Sequence, residues 1–159
     1  IPSDIAEVEA LVPDVSTIEV PSLEKMKEEG LLNYVDLEGM YLAHVEANFD
    51  MDAIRNSGQK IAYDAMYGAG MNAVQKLLPD AIFLHCDDNP GFKGQAPEPI
   101  HRNLMELSET IKNDPDITCG LANDGDADRI GMYDGDGNFV DSHHLLLYYW
   151  MWGFVLIKF

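Results

Sequence analysis

Basic residues are scarce in this chain of 159 residues, in which 10 Lys and Arg stand against 28 Asp and Glu and the formal net charge is −18. A nucleic-acid backbone is itself polyanionic, so charge repulsion argues against DNA or RNA as a partner. The same excess of carboxylates suits the binding of cations. An ordinary solvated acidic surface is the alternative explanation for most of these charges.

Cysteine is also scarce, since the chain has only Cys86 and Cys119. Two cysteines cannot build a disulfide framework. Both lie in apolar runs, which predicts free thiols buried in the interior and favours a cytoplasmic location. The N-terminal stretch IPSDIAEVEALV is acidic where a secretory signal would be basic.

Long hydrophobic runs are absent except near the C-terminus, where Leu145 to Ile157 (LLLYYWMWGFVLI) spans 13 residues. A membrane-spanning helix needs about 20 apolar residues, so we expect no membrane partner. This segment predicts a helix that is buried or that docks on another part of a longer chain, with the aromatic run Tyr148–Trp150 in a core. A first residue of Ile1 in place of Met fits part of a longer protein.

The order of apolar runs and turn residues predicts an α/β fold. Strand and helix patterns alternate along the chain, which is typical of a parallel sheet with right-handed crossovers. The predicted strands are Lys60–Met66, Ala81–Cys86, Ile117–Ala122, Arg129–Tyr133 and Asn138–Asp141, and the predicted helices are Lys25–Leu32, Leu37–Asn56, Met71–Leu78 and His101–Asn113. The last two strands are joined by an Asp-Gly turn and add an antiparallel edge. We therefore expect a three-layer α/β/α domain with a mixed, mainly parallel sheet of about four to five strands.

An acidic loop follows the third predicted strand. Asp124, Asp126 and Asp128 alternate with two small residues, and side chains at this spacing project to one side of a curved segment. Three crowded carboxylates repel one another unless a cation neutralises them. Oxygen ligands favour a hard divalent ion, Mg²⁺ above all. The loop also lies where ligand sites form in open α/β sheets, beyond the carboxyl end of a strand.

Arg129 follows the third carboxylate directly, and its planar guanidinium suits bidentate contact with a phosphate. The spacing does not match an EF-hand, because the sixth position is Arg129 where Gly is needed and the twelfth is Gly135 where Glu is needed. A solvated acidic turn is the bland alternative. A metal beside a guanidinium favours the binding of a phosphoryl group.

These residues carry a resemblance to a known family. The string GLANDGDADRIGMYDGDGNFVD closely resembles the metal-loop segment of the α-D-phosphohexomutases, the group of phosphoglucomutases, phosphomannomutases and phosphoglucosamine mutases. Three further segments resemble the same part of that family in type and order, namely FDMDAIRNSGQKIAYDAMYGAG, NPGFKGQAPEP and IHRNLMEL. Together they cover roughly residues 36–145.

The resemblance implies a site and a reaction. Asp124, Asp126 and Asp128 would ligate Mg²⁺, and Arg129 would contact the phosphate of a phosphoserine or of the substrate. The family transfers a phosphoryl group intramolecularly on hexose phosphates, such as glucose 1-phosphate and glucose 6-phosphate or their mannose equivalents, through a hexose bisphosphate. Residues 1–142 would be the second of four domains, with the core of the match at 36–142, and residues 143–159 would start the first helix of the third. The remaining domains of the parent chain would then be partners.

The sequence departs from the family pattern at the nucleophile. The Ser-His-Asn-Pro type of motif has no counterpart, because the nearest string, Ser142-His143-His144, lacks Asn-Pro and follows the metal loop. We therefore assign no catalytic residue and expect the isolated chain to be inactive. A non-catalytic module that binds Mg²⁺ or a phosphoester is the main alternative, and a metal-dependent phosphatase is a third.

Other chemistry-bearing residues carry weaker signals. Gly68-Ala69-Gly70 follows a strand but lacks the third glycine of a dinucleotide site, so it favours close helix–strand packing. The histidines His44, His85 and His101 are scattered along the chain, and His101, which opens a predicted helix, is expected at a helix N-terminus or on the surface. His143 and His144 are expected to open a helix.

Overall fold

The computed structural model describes residues 2–13 and 20–156, with side chains for 4–13 and 20–151. Two compact units are present, Ile1–Leu37 and Glu38–Phe159. The limits of the expected domain, 1–142 and 143–159, stay a prediction.

The first unit contains α1 (Pro2–Glu9) and α2 (Leu23–Glu28). Helix α2 begins where the Ser22 hydroxyl accepts a 3.3 Å hydrogen bond from the Lys25 backbone N–H. It ends at Gly30, which takes the left-handed conformation at φ 70°. It is therefore shorter than the predicted helix Lys25–Leu32, and α1 was not anticipated.

The second unit is built on a five-stranded sheet. Its helices are α3 (Leu37–Asn48, of which only the first residue is counted with the first unit), α4 (Met51–Arg55), α5 (Gly70–Leu77), α6 (Met105–Asn113) and α7 (Ser142–Leu156), with 3₁₀ turns at Phe92–Gly94 and His101–Asn103. Its strands are β1 (Lys60–Asp64), β2 (Ile82–Leu84), β3 (Ile117–Asn123), β4 (Ile130–Asp134) and β5 (Phe139–Val140). The strand order is β2-β1-β3-β4-β5. Strand β1 pairs in parallel with β2 and β3, whereas β3–β4 and β4–β5 are antiparallel. The predicted α/β fold with a mixed sheet is confirmed.

Two predicted helices are each interrupted. The segment Leu37–Asn56 forms two helices, because the Asp50 carboxylate accepts a 2.9 Å hydrogen bond from the Ala53 N–H and starts a new helix there. The segment His101–Asn113 begins with a 3₁₀ turn, and α6 starts only after Leu104, whose backbone is not helical at φ −117° and ψ 26°.

The core lies between α6 and one face of the sheet. Leu104, Leu107 and Ile111 are fully buried there. Gly120 of β3 allows this approach, because a methyl group on it would lie 2.5 Å from Cδ1 of Ile111. Side chains alternate across a strand, so the neighbouring positions of β1 and β3 point to the other face.

Tyr63 of β1 is on that second face, where its ring meets Phe83 edge-on at 6.3 Å. The first residue of α5, Gly70, lies against the Tyr63 hydroxyl. Helices α5 and α6 therefore approach the sheet from opposite sides. The carboxyl ends of β1 and β3 remain for loops, as the sequence predicted.

Large apolar side chains are exposed on α7, among them Tyr149 (78 %) and Trp150 (62 %). The expectation that Tyr148–Trp150 belongs to a core is therefore wrong within the described residues, because more than half of each of these side chains is exposed. Among the described residues, no helix combines the length and apolar character that crossing a bilayer requires. Cys86 and Cys119 are free as predicted, but both are half-buried and not enclosed.

Candidate metal centre

The acidic loop connects β3 to β4, at the carboxyl end of β3. The loop closes at its base, where the Asn123 side-chain amide donates a 2.9 Å hydrogen bond to the carbonyl oxygen of Arg129. It turns at Ala127, which has φ 62° and donates its N–H to the carbonyl oxygen of Asp124 at 3.1 Å. A tight antiparallel connection thus bends the chain back over six residues.

This curvature brings together the three carboxylates that the spacing singled out. One oxygen each from Asp124, Asp126 and Asp128 lies within 4.8 Å of the others. Asp124 is buried, whereas Asp126 and Asp128 are exposed. The structure therefore places all three predicted ligands in one cluster, with one carboxylate buried and the other two open to solvent.

The pKa values of the clustered carboxyl groups reflect their mutual repulsion and their contacts with Arg129. The negative charges of Asp126 and Asp124 raise the pKa of Asp128 above its usual value. Burial by itself would raise the pKa of Asp124, but the backbone and side-chain hydrogen bonds from Arg129 outweigh it and hold that pKa below its usual value. Asp124 is therefore ionised at neutral pH, and a cation would relieve the repulsion felt by Asp128.

Arg129 lies beside the cluster and contacts it through one edge of its guanidinium. Its Nε donates a 2.6 Å hydrogen bond to Oδ2 of Asp124, and its backbone N–H donates a 3.0 Å bond to Oδ1. The side chain is 60 % exposed. Within the described part of the chain, no further side chain hydrogen-bonds its terminal nitrogens, which leaves them available to an anion.

The donor set fits a hard divalent cation. All three groups offer carboxylate oxygens, and each oxygen of Asp124 keeps lone-pair capacity beyond its bond to Arg129. Asp126 and Asp128 have exposed carboxylates that face solvent. The cluster can therefore hold Mg²⁺ with positions left over for other oxygen ligands.

Sequence reasoning missed a second group of residues, which lies at the carboxyl ends of β1 and β2. Asp64, at the end of β1, is fully buried, and His85, 21 positions further on, places Nδ1 2.9 Å from both of its oxygens. The His85 Nε2 lies 3.2 Å from Glu106. An Asp within the otherwise largely apolar predicted strand Lys60–Met66 was the available signal, but spacing alone could not pair it with His85.

A cavity of about 330 Å³ opens next to the acidic loop. Phe92 and Pro97 line it and also pack against the loop, since a methyl group on Gly125 would lie 2.9 Å from Cγ of Pro97 and 3.6 Å from the Phe92 ring. Lys93 contributes an ammonium group to the lining, 4.8 Å from the Tyr67 ring centre.

The remaining histidines have structural contacts. His101 is exposed and its Nδ1 lies 2.8 Å from the Tyr133 hydroxyl, while His44 contacts Asn48 one turn later on α3. His143 and His144 open α7, and the Asp141 carboxylate accepts both of their backbone N–H groups. The expectation of a helix-start pair is confirmed.

Comparison with known proteins shows to which family the chain belongs. The profile described as phosphoglucomutase/phosphomannomutase, alpha/beta/alpha domain II, matches residues 39–137. The chain belongs to the phosphoglucomutase/phosphomannomutase family, whose members are mutases, and it carries that family's domain II.

Individual relatives agree with this assignment. The phosphoglucomutase of Neisseria meningitidis serogroup B (strain ATCC BAA-335 / MC58) is 33% identical over 137 residues, which is 83% of this chain and 29% of that protein. A phosphopentomutase of Thermococcus kodakarensis is 34% identical over 89 residues, 52% of this chain and 19% of that protein. A solved Thermus thermophilus protein classed with the phosphomannomutases superposes with a TM-score of 0.63 at 28% identity, over 75% of this chain and 30% of its own. The chain thus spans less than a third of the length of these relatives.

Proposed function

We propose that this chain supplies the Mg²⁺-binding domain of a phosphohexomutase, which transfers a phosphoryl group intramolecularly on hexose phosphates. Glucose 1-phosphate with glucose 6-phosphate, or the mannose equivalents, are the proposed substrates. The observation that carries the proposal is the cluster of Asp124, Asp126 and Asp128 within 4.8 Å, next to Arg129, in a domain of this family.

The three carboxylates would hold Mg²⁺, which when bound supplies positive charge that stabilises a phosphoryl group in transfer. Asp124 has a second task, because it fixes the Nε edge of Arg129. The terminal nitrogens of Arg129 then face outward and can bind two oxygens of one phosphate. Together the cluster and the guanidinium orient a phosphate dianion at the carboxyl end of β3.

The rest of the active site belongs to the proposed partners of this domain. These are the other domains of the parent chain, a hexose phosphate and a hexose bisphosphate. Relatives that act on different sugars share this domain, since one is a phosphoglucomutase and another a phosphopentomutase. Choice of the sugar is therefore assigned to the other domains. A cytoplasmic location, where hexose phosphates are found, completes the proposal.

Two measurements test it. Sequencing of the DNA on both sides of this coding region should reveal a Ser-His-Asn-Pro type of motif upstream, whereas a start codon next to Ile1 and a stop codon after Phe159 would favour the non-catalytic module. A coupled assay of the purified 159-residue chain should show no conversion of glucose 1-phosphate with Mg²⁺ present. Turnover by this chain would refute the proposal that the rest of the active site lies in other domains. Release of inorganic phosphate would favour a phosphatase.

A further inference from the structure

We infer that the strained segment that follows β1, Ala65–Gly70, is a seat that positions the acidic loop for cation binding, and that Gly68 is its positioning residue. The inference rests on the Mg²⁺ binding proposed above. It assigns a role to residues outside the carboxylate cluster. The segment is called the seat below.

The seat touches the backbone of the loop directly. A methyl group on Gly68 would lie 2.6 Å from the carbonyl oxygen of Asp124 and 2.9 Å from both Cα and the carbonyl oxygen of Gly125. The next residue, Ala69, donates its N–H to the Gly125 carbonyl at 3.0 Å. The two backbones are so close that only glycine fits at position 68, because any side chain would meet immobile main-chain atoms.

The seat itself has an unusual conformation. Met66 and Tyr67 have φ angles of 47° and 61°, in the left-handed region that side chains disfavour. Such strain persists only where surrounding contacts determine the conformation, and it is concentrated at functional sites. A relaxed, extended continuation of β1 would not bring Gly68 under the loop.

Four hydrogen bonds hold the strained conformation. The buried Asp64 carboxylate accepts the Met66 N–H at 2.8 Å and also binds the His85 ring at 2.9 Å. The His85 carbonyl accepts the Tyr67 N–H at 2.9 Å, and the Ala65 carbonyl accepts the Gly68 N–H at 2.7 Å. The Asp64–His85 pair thus ties the seat to β2, which makes it a rigid platform.

A rigid platform matters because the loop it supports carries three mutually repelling carboxylates. Without a cation, repulsion favours an open loop in which the oxygens move apart. Contact of the seat with Asp124 and Gly125 opposes that opening, so the cluster is held close to its binding geometry before a cation arrives. Disturbing the seat should therefore weaken Mg²⁺ binding more than it weakens the fold.

The test is an NMR titration of the ¹⁵N-labelled 159-residue chain with MgCl₂, in which Kd is read from the loop amides. Gly68→Ala should raise Kd by about tenfold or more, the size of effect seen when groups that orient metal ligands are removed. Gly91→Ala is the matched control, because its added methyl would meet only a side-chain oxygen of Asn89 at 3.7 Å and its φ is −89°. Its Kd should stay within about twofold of the original.

A second variant and a measurement on the unaltered chain guard against simple misfolding. Ala69→Pro removes the N–H bonded to Gly125, yet proline suits the φ of −62° at the start of α5. It should also raise Kd while the far-ultraviolet circular dichroism is kept. In the unaltered chain, hydrogen exchange of the Ala69 amide should slow when Mg²⁺ is added, because coupling between loop and seat is reciprocal, and the Gly91 amide should not respond.

The outcomes separate the two proposals. No Mg²⁺ binding by the unaltered chain at millimolar concentrations would refute the proposed function. Two results would overturn the role of the seat and leave the proposed function standing. One is Mg²⁺ binding by folded Gly68→Ala or Ala69→Pro that is as tight as in the unaltered chain. The other is hydrogen exchange of the Ala69 amide that does not change when Mg²⁺ is added.

Discussion

Arg129 donates two hydrogen bonds to the carboxylate of Asp124, one from Nε to Oδ2 at 2.6 Å and one from its backbone N–H to Oδ1 at 3.0 Å. Asp124 is 1% exposed at its side chain, whereas Arg129 is 60% exposed. The pair therefore joins a buried anion at the base of the acidic loop to a cation at its rim. The two hydrogen bonds restrict the conformations of both side chains.

Replacing Arg129 by methionine should lower stability. The change removes the cation and one hydrogen bond from the buried Asp124 carboxylate, so we expect the free energy of unfolding in Mg²⁺-free buffer to fall, as measured by urea denaturation. Arg102→Met is the control, since Arg102 is 76% exposed and only 3.8 Å from Glu98. That change should cost less than about 0.5 kcal/mol. Equal effects of the two changes would refute the structural role given to Arg129.

Asp126→Asn should leave the fold intact and raise the stability of the metal-free chain slightly. The exposed Asp126 carboxylate repels its neighbours, which is why it is the main cause of the raised pKa of Asp128. Removing this charge should increase the thermal midpoint in EDTA, and the Asp128 pKa, followed by NMR, should fall towards its ordinary value. A lowered thermal midpoint with an unchanged Asp128 pKa would show that the carboxylates do not interact as described.

Gly120→Ala should destabilise the core by about 1–3 kcal/mol, because the new methyl group meets Cδ1 of Ile111 at 2.5 Å. Ile111→Val removes that methyl group, so Gly120→Ala should cost less in an Ile111→Val background than alone. Urea denaturation of the two single variants and the double variant measures this coupling. Strictly additive costs would mean that α6 does not pack on Gly120.

The hairpin between β4 and β5 should add a pH-dependent term to stability. The Asn138 backbone N–H holds the pKa of Asp134 below its usual value. A carboxyl whose pKa is lowered by folding contributes stability above its unfolded pKa, about 3.9, and loses it as pH falls through the folded value. Asp134→Asn should therefore cost more stability at pH 7 than at pH 2.5. The same cost at both pH values would contradict the hydrogen-bonded carboxylate.

Local chemistry made the acidic loop predictable. The spacing of Asp124, Asp126 and Asp128 projects three carboxylates to one side, and the structure gathers them within 4.8 Å. Apolar runs and turn residues likewise located all five strands, because strand pairing follows local hydrophobic patterns. The break between α3 and α4 was missed, although Asp50 is a good N-cap, since the apolar pattern continues across it.

Contacts between residues far apart in the chain could not be predicted from the sequence. His85 binds Asp64 across 21 positions, and Gly68 meets Gly125 across 57 positions only because β1 and β3 are neighbours in the sheet. The exposure of Trp150 could not be read from an apolar run, because burial depends on what packs against the helix.

Isothermal titration calorimetry with MgCl₂ tests the central claim most directly, using the unaltered chain, Asp126→Asn and the control Asp136→Asn, whose exposed carboxylate lies in the β4–β5 turn. We expect the unaltered chain and Asp136→Asn to bind one Mg²⁺ with the same affinity and Asp126→Asn to bind about tenfold more weakly or not at all. Unchanged Mg²⁺ affinity in Asp126→Asn would contradict the account.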